Sequence, residues 1–368
     1  MSYEPESRAF DQEILSVIEG WQDRGEALDD AGFNDLALRL FDFQLRTNNP
    51  YARYCAHLGV TSPPASWEHI PAVPAPAFKE AALTTFDPAK AALVFETSGT
   101  TGGVPGRHYL ETSALYDAAS LAGFQHFVLR DEARLRFFNL VPNPADCRHS
   151  SLGYMMGRVS ACRGDGRTGW YLRGDGLLFE EFTRDVAVAI QEKKPICLAT
   201  TAFALVALLD EIHRRRLAFL LPGGSRVMET GGFKGRARVI ERDELYAQAC
   251  EAFGIANDAI LGEYGMTELT SQYYDAAPPV RHKAGPPWLR SRVAGPDRRT
   301  LPPGEAGSLI HVDLANRSSC IAIQTEDLGV ECDGGFVLLG RDAEASLRGC
   351  SLDAEELGLR STTASGAK

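Results

Sequence analysis

The sequence predicts an α/β fold in which mostly parallel sheets are flanked by helices and joined to a smaller β-rich subdomain. Two observations carry this. Between residues 92 and 265, apolar strand-like runs alternate with stretches of helical periodicity, the pattern of successive β-α units. After residue 285 the texture changes to short strands separated by Pro/Gly turns, as in "GSLIHVDLA" and "GGFVLLGR".

Residues 8–46 predict two helices, "RAFDQEILSVIEGW" and "FNDLALRLFDFQLRT", whose apolar residues recur at helical spacing. The Pro-rich stretch "SPPASWEHIPAVPAPAFKE" (62–80) excludes regular helix. Its Trp67, Ile70, Val73 and Phe78 make it a segment packed along the body rather than a linker. "ALVFET" (92–97) is a strand, and "ETSALYDAASLAGFQHFVL" (111–129) a helix capped by Thr112 or Ser113. Strands follow at 134–142, 195–203, 225–232 and 259–265, with helices at 179–193, 204–216 and 242–254. The chain then divides into N-terminal helices with the packed segment (1–80), an α/β core (81–285), a β-rich subdomain (286–340) and a hinge with a short tail (341–368).

Composition narrows the function classes. With 368 residues, 44% hydrophobic and 24% charged, the chain can bury a substantial core in one large or two ordinary domains. A formal net charge of −11 argues against nucleic-acid or anionic-membrane partners. No run approaches the roughly 18 apolar residues of a membrane span. The eight Cys show no C-x-x-C spacing and the eight His no ligand spacing, which suits reduced thiols in a cytoplasmic protein without a His-held metal.

Three loops at predicted strand ends attract chemistry, because ligands of parallel sheets bind beyond the carboxyl ends of the strands. They are 97–106, 229–235 and 264–268, expected to converge on one site. In "TSGTTGG" the glycines free backbone N–H groups for an anion, and Ser98, Thr100 and Thr101 add neutral donors. An ordinary Ser/Thr/Gly turn reads the same way in isolation. "GEYGMTELTSQYYD" (262–275) sets a Tyr able to stack on a purine beside a Thr donor and a Glu able to hold Mg²⁺ through oxygen. A helix cap with a buried Tyr is its bland alternative. In "IQTEDLG" (323–329) an Asp at a strand end could take both ribose hydroxyls, or simply belong to a turn.

Taken in order, these stretches resemble the adenylate-forming enzymes: acyl-CoA synthetases, luciferases and peptide-synthetase adenylation domains. "TSGTTGG" is similar to that family's phosphate loop, "YGMTE" to its Tyr-Gly-x-Thr-Glu motif, "TEDLG" to its ribose-binding motif and "LGRDAEASLRG" (339–349) to its hinge. The likeness runs over roughly residues 60 to 350. It implies ATP and Mg²⁺ as cofactors, with Thr97, Ser98, Gly99, Thr100, Thr101 and Gly102 wrapping the phosphates. Tyr264, followed by Gly265, would lie against adenine, Thr267 touch the α-phosphate and Glu268 ligate Mg²⁺. Asp327 would bind ribose with Arg341 beside it, and Gly231 and Gly232 would bring backbone against adenine and the acyl carbonyl. The acyl pocket is expected from 149–157, where His149 either borders the carboxylate or is simply a satisfied loop histidine, and from 198–205.

Two departures narrow the resemblance. Pro105 stands where the family has a Lys, a charge that Arg107 partly replaces. The hinge is followed by a short tail, whose single Lys is Lys368, rather than by the family's C-terminal domain with its catalytic Lys. That length, with "IPAVPAPAFK" and "EYGMTELTSQYYD", resembles the LuxE-type acyl-protein synthetases. The likeness implies activation of a carboxylic, fatty acid and transfer to a protein thiol, with an acyl-protein reductase or acyl carrier as partner. Cys350, in "RGCSLDAEE" beside Arg348, is the candidate acceptor, or else a packing residue. Cys320 and Cys332 read as core. Coenzyme A, a carrier-protein thiol or an amine is the alternative acceptor, and a non-catalytic scaffold for a reductase the alternative of another class.

Overall fold

A computed structural model describes residues 4–97, 104–131, 134–174, 176–231, 241–276 and 281–341. The chain forms two compact units that interleave along the sequence: 1–119, 266–271 and 285–368 make unit 1, and 120–265 with 272–284 make unit 2.

Unit 1 begins with α1 (Glu4–Arg24), α2 (Asp30–Thr47) and α3 (Asn49–His57). Phe10, Ile14 and Ile18 of α1 are buried at four-residue spacing, and Phe33, Leu36, Ala37, Leu40 and Phe41 form the apolar stripe of α2. The α2 N-terminus is capped by Asp29, which accepts from the Gly32 N–H at 2.7 Å. Periodicity alone missed α3, because Pro50 reads as a breaker; in the first turn the ring's missing N–H costs no hydrogen bond. The Pro-rich segment packs as expected, with Ile70, Val73 and Phe78 buried and the two-residue strand β1 (Val73–Pro74) beside Ile323 and Gln324. Next come the antiparallel partners β2 (Leu93–Glu96) and β3 (Arg107–Leu110). Helix α4 (Ala114–Gly123) leaves unit 1 and continues as a π-turn, Phe124–Leu129.

Unit 2 contains β4 (Leu135–Leu140), α5 (Ser151–Arg163), β5 (Gly164–Trp170), the short pair β6 (Leu172–Arg173) and β7 (Gly176–Leu177), α6 (Phe179–Gln191), β8 (Ile196–Thr201), α7 (Ala202–Arg214), β9 (Arg226–Thr230), α8 (Arg242–Phe253), β10 (Ile260–Tyr264), β11 (Tyr273–Asp275) and β12 (Lys283–Ala284). β5, β4, β8, β9 and β10 are parallel neighbours in that order, and β11 and β12 continue antiparallel. Every residue of β4 is buried, as a central strand covered on both faces requires. One core cluster joins Phe138, Leu198, Val227 and Ile260 of the strands to Phe182, Leu208, Leu245 and Phe253 of the helices.

Helix α5 was not read as a helix in the sequence, since Gly153 and Gly157 interrupt it. Gly153 is there for space: a Cβ would lie 2.4 Å from the Pro142 carbonyl oxygen. Gly→Ala in a helix normally stabilises by about 1 kcal/mol; here the sign reverses. Gly153→Ala is expected to destabilise unit 2 by about 1–3 kcal/mol, read as a lower urea midpoint.

The chain returns to unit 1 with β13 (Leu289–Ala294), β14 (Ala306–Asp313), β15 (Ala322–Cys332) and β16 (Gly335–Arg341), antiparallel in sequence order. This is the β-rich texture expected after residue 285. β1 pairs with the first residues of β15 and β16 with its last six.

Candidate functional site

The phosphate-loop candidate is carried by the β2–β3 hairpin and not by a strand of the parallel sheet, so the carboxyl-end rule does not place it. Its neck is closed by Thr97: the backbone N–H donates to the Gly106 carbonyl at 2.9 Å, and Oγ1 accepts from the Gly106 N–H at 2.9 Å. Ser98, Gly99, Thr100, Thr101 and Gly102 lie outside the described residues. Arg107 sits opposite Glu96 in the hairpin register, and its Nε lies 2.9 Å from Glu96 Oε1. Its side chain is 50% exposed, so solvent screens the pair and the guanidinium can be recruited to an anion.

The neighbouring His108 points inward and is fully buried, edge-on to Phe78 at 6.0 Å. Burial pushes its pKa down to about 4, so the ring is neutral. Nδ1 lies 2.8 Å from the Thr267 carbonyl oxygen, which can only accept, so Nδ1 carries the proton.

The Thr267–Glu268 segment is held by side chains throughout its length. Asn316 Nδ2 donates to the Glu268 carbonyl at 3.0 Å and to the Cys320 carbonyl at 2.9 Å. Thr270 Oγ1 donates to Asn316 Oδ1 at 3.2 Å. Asp313 then accepts from the N–H groups of Thr270 (3.0 Å), Ser271 (2.8 Å) and Ala315 (3.0 Å), and from Ser271 Oγ (2.9 Å). Burial pushes the Asp313 carboxyl up to about 6, against the pull of those donors. Trp288 Nε1 donates to Ser271 Oγ at 3.0 Å and completes the frame. Thr267 stays half-buried, while Glu268 is buried at 7% exposure.

Sequence reasoning missed His108, Asp313 and Asn316. The signal was the polar run "DLANRSS" between two apolar strands, which resembles a surface turn; every residue from Asp313 to Ser319 is buried.

Asp327 and Arg341 face each other across β15 and β16, with Arg341 Nε 3.4 Å from Asp327 Oδ1. The Asp327 N–H is turned onto Thr325 Oγ1 at 3.0 Å. Cys320 is buried and Cys332 partly so; Cys350 lies outside the described residues.

Unit 2 supplies the remaining candidates. Tyr264 ends β10, is 8% exposed and packs against Tyr273 at 6.1 Å. Gly265 is exposed, and a Cβ there would sit 2.5 Å from Glu263 Oε1. Gly231 has φ +82°, a conformation in which a side chain is strained; Gly232 lies outside the described residues. Flanking these positions are two buried acids. Glu263 bonds Thr230, and Glu229 accepts from the Tyr246 hydroxyl at 3.2 Å. Burial pushes both carboxyls up to about 7. Lys283 donates to the Gly262 carbonyl at 2.8 Å and pairs with Asp275 at 2.8 Å, fixing β10 just before Glu263. Of the expected acyl-pocket stretches, Met155, Met156 and Leu205 are buried and His149 is exposed.

Among the described residues no group of three or more His, Cys, Asp or Glu could hold a metal ion. A hard carboxylate such as that of Glu268 is the donor type that would hold a Mg²⁺ arriving with a nucleotide. Among the described residues no helix is long and apolar enough to cross a membrane.

The fold is similar to that of solved structures of two larger proteins. The McyG A-PCP protein complexed with phenylalanyl-adenylate superposes with a TM-score of 0.50 at 18% identity, over 70% of this chain and 48% of that one. ATP-bound MatB from Rhodopseudomonas palustris gives 0.50 at 17% identity, over 70% and 49%. This chain therefore spans about half the length of those solved proteins. No protein-family model matches it. The chain is also similar to the long-chain-fatty-acid–luciferin-component ligase of Vibrio harveyi. The two are 23% identical over 296 residues, 79% of this chain and 76% of the relative.

Proposed function

We propose that the chain activates a carboxylic acid of the fatty-acid class with ATP and passes the acyl group to a protein thiol. The observation that most supports this is the Thr267–Glu268 segment, held by buried side chains, on an adenylate-forming fold with the Thr/Gly loop before it and Asp327 and Arg341 after it.

In the first step a carboxylate oxygen attacks the α-phosphorus of ATP. The bond from that phosphorus to the bridging oxygen breaks, and pyrophosphate leaves. Residues Thr97 to Gly102 wrap the departing phosphates through backbone N–H groups and hydroxyls, with Arg107 released from Glu96 to face them. Thr267 donates to the α-phosphate, Tyr264 lies against adenine, Gly231 and Gly232 border it, and Asp327 with Arg341 takes the ribose. Glu268 would hold Mg²⁺, which would neutralise phosphate charge when bound. In the second step the Cys350 thiolate attacks the acyl carbonyl carbon and the bond to AMP breaks. The thioester is then available to a reductase or a carrier protein.

The test is intact-mass measurement after incubation with ATP, Mg²⁺ and acids of graded chain length. The expected result is a base-labile acyl adduct that disappears in Cys350→Ala, while pyrophosphate release persists. An adduct that survives the substitution moves the acceptor to another residue. Pyrophosphate release with no adduct points to coenzyme A, a carrier thiol or an amine. No release with any acid leaves the scaffold reading.

A further inference from the structure

We propose that His108 is a positioning residue for adenylation, acting through the Thr267 carbonyl to lock the Thr267–Glu268 backbone onto the phosphate-loop hairpin. The inference rests on the function proposed above and deepens it, because nothing in the motif pattern assigns His108 a role.

Three observations carry it. First, His108 lies on β3, the strand by which the chain returns from the phosphate loop, two residues after Gly106 at the loop's neck. Second, its Nδ1–H ends on the carbonyl of Thr267, the residue proposed to meet the α-phosphate, at 2.8 Å. Third, the next carbonyl, that of Glu268, is held by Asn316 at 3.0 Å, a side chain that itself interacts with His108. With both carbonyls held, the two peptide planes that flank Glu268 are restrained from rotating. The Thr hydroxyl and the Glu carboxylate are then set relative to the Thr97–Gly106 neck by two side-chain bonds instead of by chain continuity.

A histidine chosen only to fill the interior would not need a donor at this point, since a leucine packs against Phe78 as well. Without the donor, the Thr267 carbonyl loses its partner and the peptide can turn. Outer partners that orient metal ligands cost about 10–100-fold in affinity or activity when removed, and a loss of that order is expected where the oriented segment carries the proposed Mg²⁺ ligand.

The experiment is acid-dependent ATP–pyrophosphate exchange with His108→Leu, His108→Asn and Glu268→Gln, singly and with His108→Leu and Glu268→Gln combined. Each variant is assayed well below its own thermal midpoint. His108→Leu should lower kcat by about 10–100-fold with KM for ATP changed by less than about threefold. His108→Asn, whose amide nitrogen stands near the Nδ1 position, should recover most of that loss. The double variant should be little slower than Glu268→Gln alone, because both act on one segment. A folded His108→Leu with wild-type kcat overturns the proposal, as do effects that simply multiply in the double variant. Absence of exchange in the wild-type protein with every acid overturns the proposed function itself, and this proposal with it.

Discussion

Glu268→Gln is expected to lower acid-dependent pyrophosphate exchange by about 10²–10³-fold in kcat/KM, or about 3–4 kcal/mol of transition-state stabilisation. The substitution keeps the side chain's size and one oxygen but removes the charge proposed to hold Mg²⁺ against the phosphates. The segment itself should not collapse. Its anchors are the carbonyl bonds from His108 and Asn316 and the N–H bonds to Asp313, none of which uses the Glu268 carboxylate. Activity should fall by far more than any change in thermal midpoint accounts for, while the Mg²⁺ concentration for half-maximal rate rises. A variant that loses stability and activity together would make Glu268 a folding residue.

The second large effect is on stability. Asp313→Ala removes one acceptor shared by three backbone N–H groups and a hydroxyl, all buried. Each unsatisfied buried donor costs about 1–3 kcal/mol, and losses around one group do not add in full. A fall of about 3–5 kcal/mol is expected, on the scale of breaking a buried ionic contact. Since domains have about 5–15 kcal/mol of stability in all, the variant should be marginal at 37 °C and show a lower denaturant midpoint. Asp313→Asn retains one acceptor oxygen and should fall between the two. A full-strength fold in Asp313→Ala, measured by urea unfolding, would mean that water or a neighbour replaces the carboxylate.

The contrast between these residues shows what the sequence could reveal. The parallel core was legible because "RLRFFNLVP" and "PICLATTAF" are apolar runs too continuous for a half-exposed strand. The candidate chemical motifs stood out because Gly, Thr, Glu and Asp occur in an order that resembles a known family. Their support was not. Asp313 and Asn316 lie in a polar stretch that would be a surface turn in most chains, and only tertiary burial makes it a frame for a segment more than forty residues earlier. The interleaving of the units was equally hidden, since residues 266–271 belong with unit 1 although the strands on either side, β10 and β11, belong to unit 2. Helix α5 was obscured by a glycine demanded by the Pro142 carbonyl rather than by local conformation. The hairpin identity of β2 depended on its pairing with β3, which strand periodicity does not encode.

The most direct measurement is isotope exchange between pyrophosphate and ATP in the wild-type protein, run with and without a series of carboxylic acids. Exchange that requires both Mg²⁺ and an acid, and is strongest for fatty acids, is the predicted result. A folded, ATP-binding protein that shows no exchange with any acid would contradict acyl-adenylate formation.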